Sequence, residues 1–260
     1  MDSVLRARAN ECAPFENVYT LALRGLHDRA MNASNNMSDR KQMLQDALMA
    51  QRKMLIDATG KRGEDIPQAF TPYKEVLDVY DEGLELPDDV TIIWPDNNYG
   101  YMKRLSSPKE QKRSGRSGVY YHSSYLGKPH DHLWMNTTSP TLMYEELRKA
   151  YDMTADRIWL LNAGDIKACE FAVDFFLSMA YDIDSFNFDR AAAYRTEWLC
   201  GMLGDEYRNE YQDVLNSFYK LAFARRPEFM GWGYQWATDK HGRERNTDTD
   251  FSLTNYREVD

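Results

Sequence analysis

The chain has 260 residues, 43% hydrophobic and 13% aromatic, with a formal net charge of −9, which is enough chain for one large domain or two small ones. The acidic balance argues against a nucleic-acid partner, because phosphate recognition needs a basic face. Three cysteines, Cys12, Cys169 and Cys200, without CxxC spacing argue against a disulfide framework or a zinc ribbon.

The start, "MDSVLRARANECAPFENVYT", has no apolar run behind its positive charges, so no signal peptide is expected; a genuine start would place the chain in the cytoplasm. No window of about 18 apolar residues predicts a membrane span. "NVYTLAL" (17–23) is rich in β-branched and aromatic residues and predicts a strand. "DRKQMLQDALMAQRKMLIDATG" (39–60) carries apolar residues at helical spacing between an Asp start and a Gly stop. "DIPQAF" (65–70) is a short strand, and "PYKEVLDVYDEG" (72–83) predicts a helix with proline in its first turn. "DVTIIW" (89–94) is the clearest strand. Residues 103–118 are charged and predict an exposed loop or short helix. "GVYYHS" (118–123) and "DRIWLLN" (156–162) are further strands, separated by a helix over 139–153 and followed by one over 166–182.

Apolar strands alternating with helices imply a parallel sheet covered on both faces, which leaves a barrel or a doubly wound sheet. The alternation stops near residue 185, which sets the expected division into an α/β part (1–185) and a helical part (186–260). Two helices follow with no strand between them, and the polar tail 238–260 predicts loop or partial disorder.

In parallel α/β folds ligands bind beyond the carboxyl ends of the strands. The residues there are polar at every strand: Arg24, His27 and Asp28; Tyr73, Lys74 and Glu75; Asp96, Asn97, Asn98 and Tyr99; His122, Tyr125 and Trp134; Asn162 and Asp165. Of five histidines in the chain, His122, His130 and His132 fall within residues 118–140, together with Tyr120, Tyr121, Tyr125 and Trp134. Each feature also has a plain structural reading. "PDNNYG" suits a turn, Asp165 suits a helix cap, and Glu75 suits the first turn of a helix. No spacing supplies the three or four convergent ligands of a metal site, so neither metal nor cofactor is expected.

Asp28, Glu75, Asp96 and Asp165 supply several carboxylates, and acid/base hydrolysis of a glycoside needs two. Arg24, Lys74 and Lys167 would hold an anionic group, and Tyr99, Tyr125 and Trp134 would stack on sugar rings. No GxSxG, P-loop or GxGxxG is present. The set points to a hydrolase of an acidic carbohydrate.

The ordered motifs "ENVYTLALRGLHD", "PQAFTPYKEVLDVYDEG", "DDVTIIWPDNNYGY", "GVYYHSSYLGKPHDHLWMNTTSP" and "RIWLLNAGDIKACE" resemble glycoside hydrolase family 115, over roughly residues 15–225. The resemblance implies an inverting xylan α-1,2-glucuronidase that removes (4-O-methyl)glucuronic acid from glucuronoxylan or its oligosaccharides. It also implies a (β/α)8 TIM-type barrel followed by a helical bundle. By motif match, the ligand-facing residues would be Arg24, His27, Asp28, Glu75, Asp96, Asn97, Asn98, His122, Tyr125 and Asn162. Asp96 is expected as one of the acid/base pair, with Glu75 or Asp165 as the other. Two departures stand out. "NAGDIKACE" replaces a family pattern close to "NVGDIKPAE", and Leu133 stands where some relatives carry a carboxylate.

A closed barrel has eight strands, and five are expected here, so a partial barrel is predicted. Its open sheet would expose two edges, from which a homo-oligomer is expected. A non-catalytic carbohydrate-binding remnant is the alternative to an enzyme.

Overall fold

The computed structural model describes residues 2–25, 29–31, 36–124, 135–164, 166–224, 226, 236–238 and 244–246. Among them are seven α-helices and a five-stranded sheet. The sheet runs β1 (Tyr19–Thr20), β2 (Gln68–Phe70), β3 (Thr91–Pro95), β4 (Ser117–His122) and β5 (Trp159–Asn162), in that spatial order. The first three pairings are parallel, with Thr20 opposite Ala69, Phe70 opposite Ile92 and Trp94 opposite Val119. Between β4 and β5 the bonds from Val119 N–H to Ile158 C=O and from Ser123 N–H to Asn162 C=O advance together along both chains, so this pair is parallel too. The chain divides into two compact units: residues 1–95, 102–120 and 150–160, and residues 96–101, 121–149 and 161–260.

In the first unit every residue of β3 is buried, as a strand covered on both faces requires. Leu21, Leu44, Leu48, Phe70, Val79, Ile92 and Trp94 form its core. Helix α2 (Met37–Thr59) follows the predicted helix closely because both ends are capped. Asn36 accepts a bond from Ser38 N–H at the start, and Gly60 ends the helix at φ 67°, a left-handed conformation suited to glycine. The buried stripe Leu44, Leu48 and Leu55 faces the sheet core. Arg52 reaches from α2 to both oxygens of Asp89, at 2.7 and 2.9 Å, and ties the helix to the entry of β3.

The second unit is built on aromatic packing. Helix α5 (Glu170–Tyr181) buries Phe171, Phe175, Phe176 and Met179, all on one face. Phe175 packs edge-on against Phe186 and Tyr194, and Phe171 against Trp198. Tyr194 and Trp198 lie on α6 (Phe188–Leu203), which Asn187 caps by accepting from Arg190 N–H. Helix α4 (Pro140–Asp152) precedes β5 in the chain, and α7 (Arg208–Ala224) follows α6.

Several sequence expectations need correction. The strand predicted at 17–23 is only two residues long. The side-chain amide of Gln51 both donates to and accepts from Ala22, and so takes the backbone groups that a longer strand would pair. Helix α3 (Glu75–Asp81) starts later than 72, because Lys74 sits at φ 53° and interrupts helical geometry, which leaves Pro72 outside. The helix expected over 166–182 is broken at Cys169 into a 3-10 turn (Ile166–Ala168) and α5. Helix α1 (Asp2–Cys12) was not expected, since Ala9 is the only buried residue among those of the helix whose burial is described, and no apolar stripe marks it. β7 (Glu244–Asn246) lies in the tail read as loop or partial disorder, and it pairs antiparallel with β6 (Trp236–Thr238), which reaches that tail only at Thr238. No helix among the described residues is long and apolar enough to cross a membrane.

Candidate functional site

The strand-end residues form two groups, one in each unit. In the first unit, Arg24 follows β1 and Glu75 opens α3. The guanidinium Nε and Nη2 of Arg24 donate to Oε1 and Oε2 of Glu75, both at 3.2 Å. Such a two-point bond fixes the carboxylate plane as well as its position. Met31 N–H also donates to Glu75 Oε1, at 3.3 Å, so the acid pins both ends of the segment between residues 24 and 31. The two side chains keep 21% and 18% of their surface, which leaves the pair open to a solute. The Tyr73 ring lies under two cations, with Arg24 Cζ 5.4 Å and Lys74 Nζ 5.1 Å from its centre. Positive φ at Lys74 is a strained conformation for a long side chain, of the sort that gathers at functional sites.

In the second unit, Asp96 follows β3 and His122 ends β4. Their contact is short and dry. His122 Nδ1 lies 2.6 Å from Asp96 Oδ1, with side-chain exposures of 1% and 0%. Oδ1 also accepts from Asn98 N–H at 2.9 Å, and Oδ2 accepts from His122 N–H at 3.0 Å. A carboxylate that accepts three bonds needs Nδ1 to be the donor, which sets the tautomer of the ring. Asp96 was expected to face a ligand, but it is buried and both its oxygens are occupied. It orients His122, whose ring is itself buried rather than turned outward as expected.

The turn after Asp96 satisfies the structural reading as well. Asn97 Oδ1 accepts from Tyr99 N–H at 2.9 Å and from Tyr101 N–H at 3.2 Å. Asn98 and Gly100 both take positive φ, at 69° and 91°. Tyr121 donates its hydroxyl to Gly100 C=O at 3.0 Å, and a side chain at position 100 would meet that hydroxyl at 2.8 Å. Asn97, Asn98 and Tyr99 remain partly exposed and form the accessible part of this turn. Asn162, also partly exposed, ends β5, and its C=O accepts from Ser123 N–H and hydroxyl.

Of the other expected residues, His27, Asp28, Tyr125, Trp134 and Asp165 lie outside the described residues, as do His130, Asp131 and His132. Lys167, considered as an anion holder, is 99% exposed beside Glu170. Among the described residues no three His, Cys, Asp or Glu side chains cluster to hold a metal.

Ser124 was not among the expected residues, and its buried hydroxyl has no hydrogen-bond partner among the described residues. A Cβ at Gly164 would come 2.5 Å from that oxygen. Gly164 also sits at φ 60°, so glycine is required there on two counts. The neighbouring glycine-containing sequence after β5 was the one available sign.

The model of glycosyl hydrolase family 115 matches residues 1–229. The chain belongs to that family. Among solved structures, it is 38% identical to a family 115 4-O-methyl-α-glucuronidase with specificity for decorated arabinogalactans, at a TM-score of 0.87. That match covers 98% of this family 115 chain and 33% of the other chain, so the present chain spans about a third of its length. None of the curated proteins compared matches.

Proposed function

We propose that this family 115 chain carries a site for hydrolytic removal of (4-O-methyl)glucuronic acid side chains from a glucuronylated polysaccharide. The observation that carries this reading is the Arg24–Glu75 pair, a partly exposed carboxylate held in one orientation at a strand end. The likeness to a 4-O-methyl-α-glucuronidase supports it. Glucuronoxylan and its oligosaccharides are the substrates we propose first. The arabinogalactan specificity of the similar enzyme makes a glucuronylated arabinogalactan the natural comparison.

Inverting hydrolysis needs one carboxylic acid to protonate the leaving oxygen and one carboxylate to activate water. Glu75 is our first assignment for proton transfer, because its carboxylate keeps accessible surface while Arg24 restrains it. Asp165 is the assignment for the second carboxylate. Asp96 is a positioning residue that acts through His122. Asn97, Asn98, Tyr99 and Asn162 are assigned to substrate hydroxyls, together with His27, Asp28, Tyr125 and Trp134 from the sequence motifs.

We read the five parallel strands as part of a (β/α)8 barrel and α6 and α7 as the start of a helical bundle, and we propose a domain division near residue 185. The spatial order ends in β1 and β5, and Leu160 of β5 is 45% exposed. We therefore expect self-association, read as a mass above one chain by light scattering at micromolar concentration.

The test of function is release of free uronic acid from glucuronoxylan and from glucuronylated arabinogalactan. Release from either, lost in Glu75→Gln, supports the reading. A folded chain that releases nothing from both opposes it.

A further inference from the structure

Arg226 follows α7, beyond the helices, yet its Nη1 lies 3.4 Å from the Thr138 hydroxyl, 88 residues earlier in the chain. Thr138 is buried and stands two residues before α4. Arg226 itself is half-buried. Its charge also reaches Tyr121. Burial holds that phenol well above the ordinary tyrosine range and Asp96 adds to the rise, while Arg226 opposes it. The guanidinium therefore stands close to the end of β4, in the same unit as Asp96 and His122.

A guanidinium has five N–H donors, and the contact with Thr138 uses one of them. Among the described residues no carboxylate pairs with Arg226, although the chain carries 41 acidic residues against 32 basic ones. A half-buried arginine left without an anion in so acidic a chain is costly unless an anion comes from outside. A second unused donor lies in the same loop. Asn136 is buried, sits at φ 54°, and its Nδ2 has no hydrogen-bond partner. An unsatisfied buried amide marks a place where a bound group would complete the bonding.

Of the three cations expected at the outset, Lys74 lies over the Tyr73 ring in the other unit, and the remaining two do not fill this role. Arg24 is committed to both oxygens of Glu75, and Lys167 points into solvent beside Glu170. We infer that Arg226, with the Thr138 hydroxyl beside it, binds the carboxylate of the glucuronic acid and is a specificity determinant for acidic over neutral sugars. This rests on the glucuronidase reading and adds the residue that reads the acid.

The test compares binding of methyl α-D-glucuronide and methyl α-D-glucoside to the full chain by titration calorimetry or ligand-observed NMR. Wild type should prefer the glucuronide. Arg226→Gln should weaken glucuronide binding about 10- to 100-fold and leave the glucoside unchanged, as loss of a charge-assisted two-point contact predicts. Arg226→Lys should recover part of the loss. Equal binding of both sugars by wild type, or equal weakening of both in Arg226→Gln, overturns the inference. Uronic acid release is measured on the same preparations. Release with unaltered acid preference in Arg226→Gln would remove this inference alone. Arg226-dependent glucuronide binding without any release would remove the hydrolase reading alone.

Discussion

His122 Nδ1 and Asp96 Oδ1 meet at 2.6 Å with almost no solvent contact on either side chain. Asp96 also accepts two backbone N–H groups, so one carboxylate closes the turn after β3 and anchors the last residue of β4. Asp96→Ala takes this acceptor from three donors, two of them buried. We predict a loss of about 3–5 kcal/mol in folding stability, measured by urea denaturation. A change under about 1 kcal/mol would show that the pair does not hold the strand ends together.

Glu75 and Arg24 should separate in kinetics. Glu75→Gln removes proton transfer and should lower kcat by about 10²- to 10⁴-fold. Arg24→Lys keeps the positive charge and loses the two-point geometry, so a smaller fall is expected. Equal effects of the two variants on kcat would make Glu75 an anchor for the 24–31 segment and nothing more.

Glu110 sets an acid limb of stability away from the candidate site. Burial alone would raise its pKa, but bonds from Arg104, from the hydroxyl and N–H of Ser107, and from Tyr80 outweigh burial and hold it at about 2. The folded value lies below the unfolded one near 4.5. The stabilisation is therefore complete above pH 4.5 and is lost as pH falls from there toward 2. Its size is on the order of 2–3 kcal/mol. Thermal melts between pH 6 and 3 should show a steeper decline for wild type than for Glu110→Gln. Parallel curves would contradict the assignment.

Gly118 is required by the sheet itself. A Cβ there would lie 2.0 Å from Ile158 C=O and 3.0 Å from Ile93 Cδ1. Gly118→Ala must push β4 away from β5 and should cost about 3 kcal/mol or more, or prevent folding. Expression with an unchanged melting temperature would contradict this packing.

The order and type of the main elements were legible because their signals are local. Gly60 marks the end of α2, whose start the sequence placed at Asp39 and the structure caps with Asn36, and the fully buried β3 is a largely apolar run. Helix α1 left no such signal, since among its described side chains it buries only Ala9. At the site, the sequence identified strand-end carboxylates but could not rank them. The difference lies in partners far along the chain. Asp96 is buried against a histidine 26 residues away, and Glu75 stays partly open beside an arginine 51 residues away. Arg226 escaped notice for the same reason, because 88 residues separate it from Thr138 and it follows helices that read as an appendix.

The most direct measurement of the central claim is NMR observation of the sugar first released when the chain meets an α-glucuronylated xylo-oligosaccharide. Inverting hydrolysis predicts (4-O-methyl)glucuronic acid that appears first as the β-anomer and does not appear with Glu75→Gln. Absence of release by a folded chain, or first appearance of the α-anomer, would contradict the account.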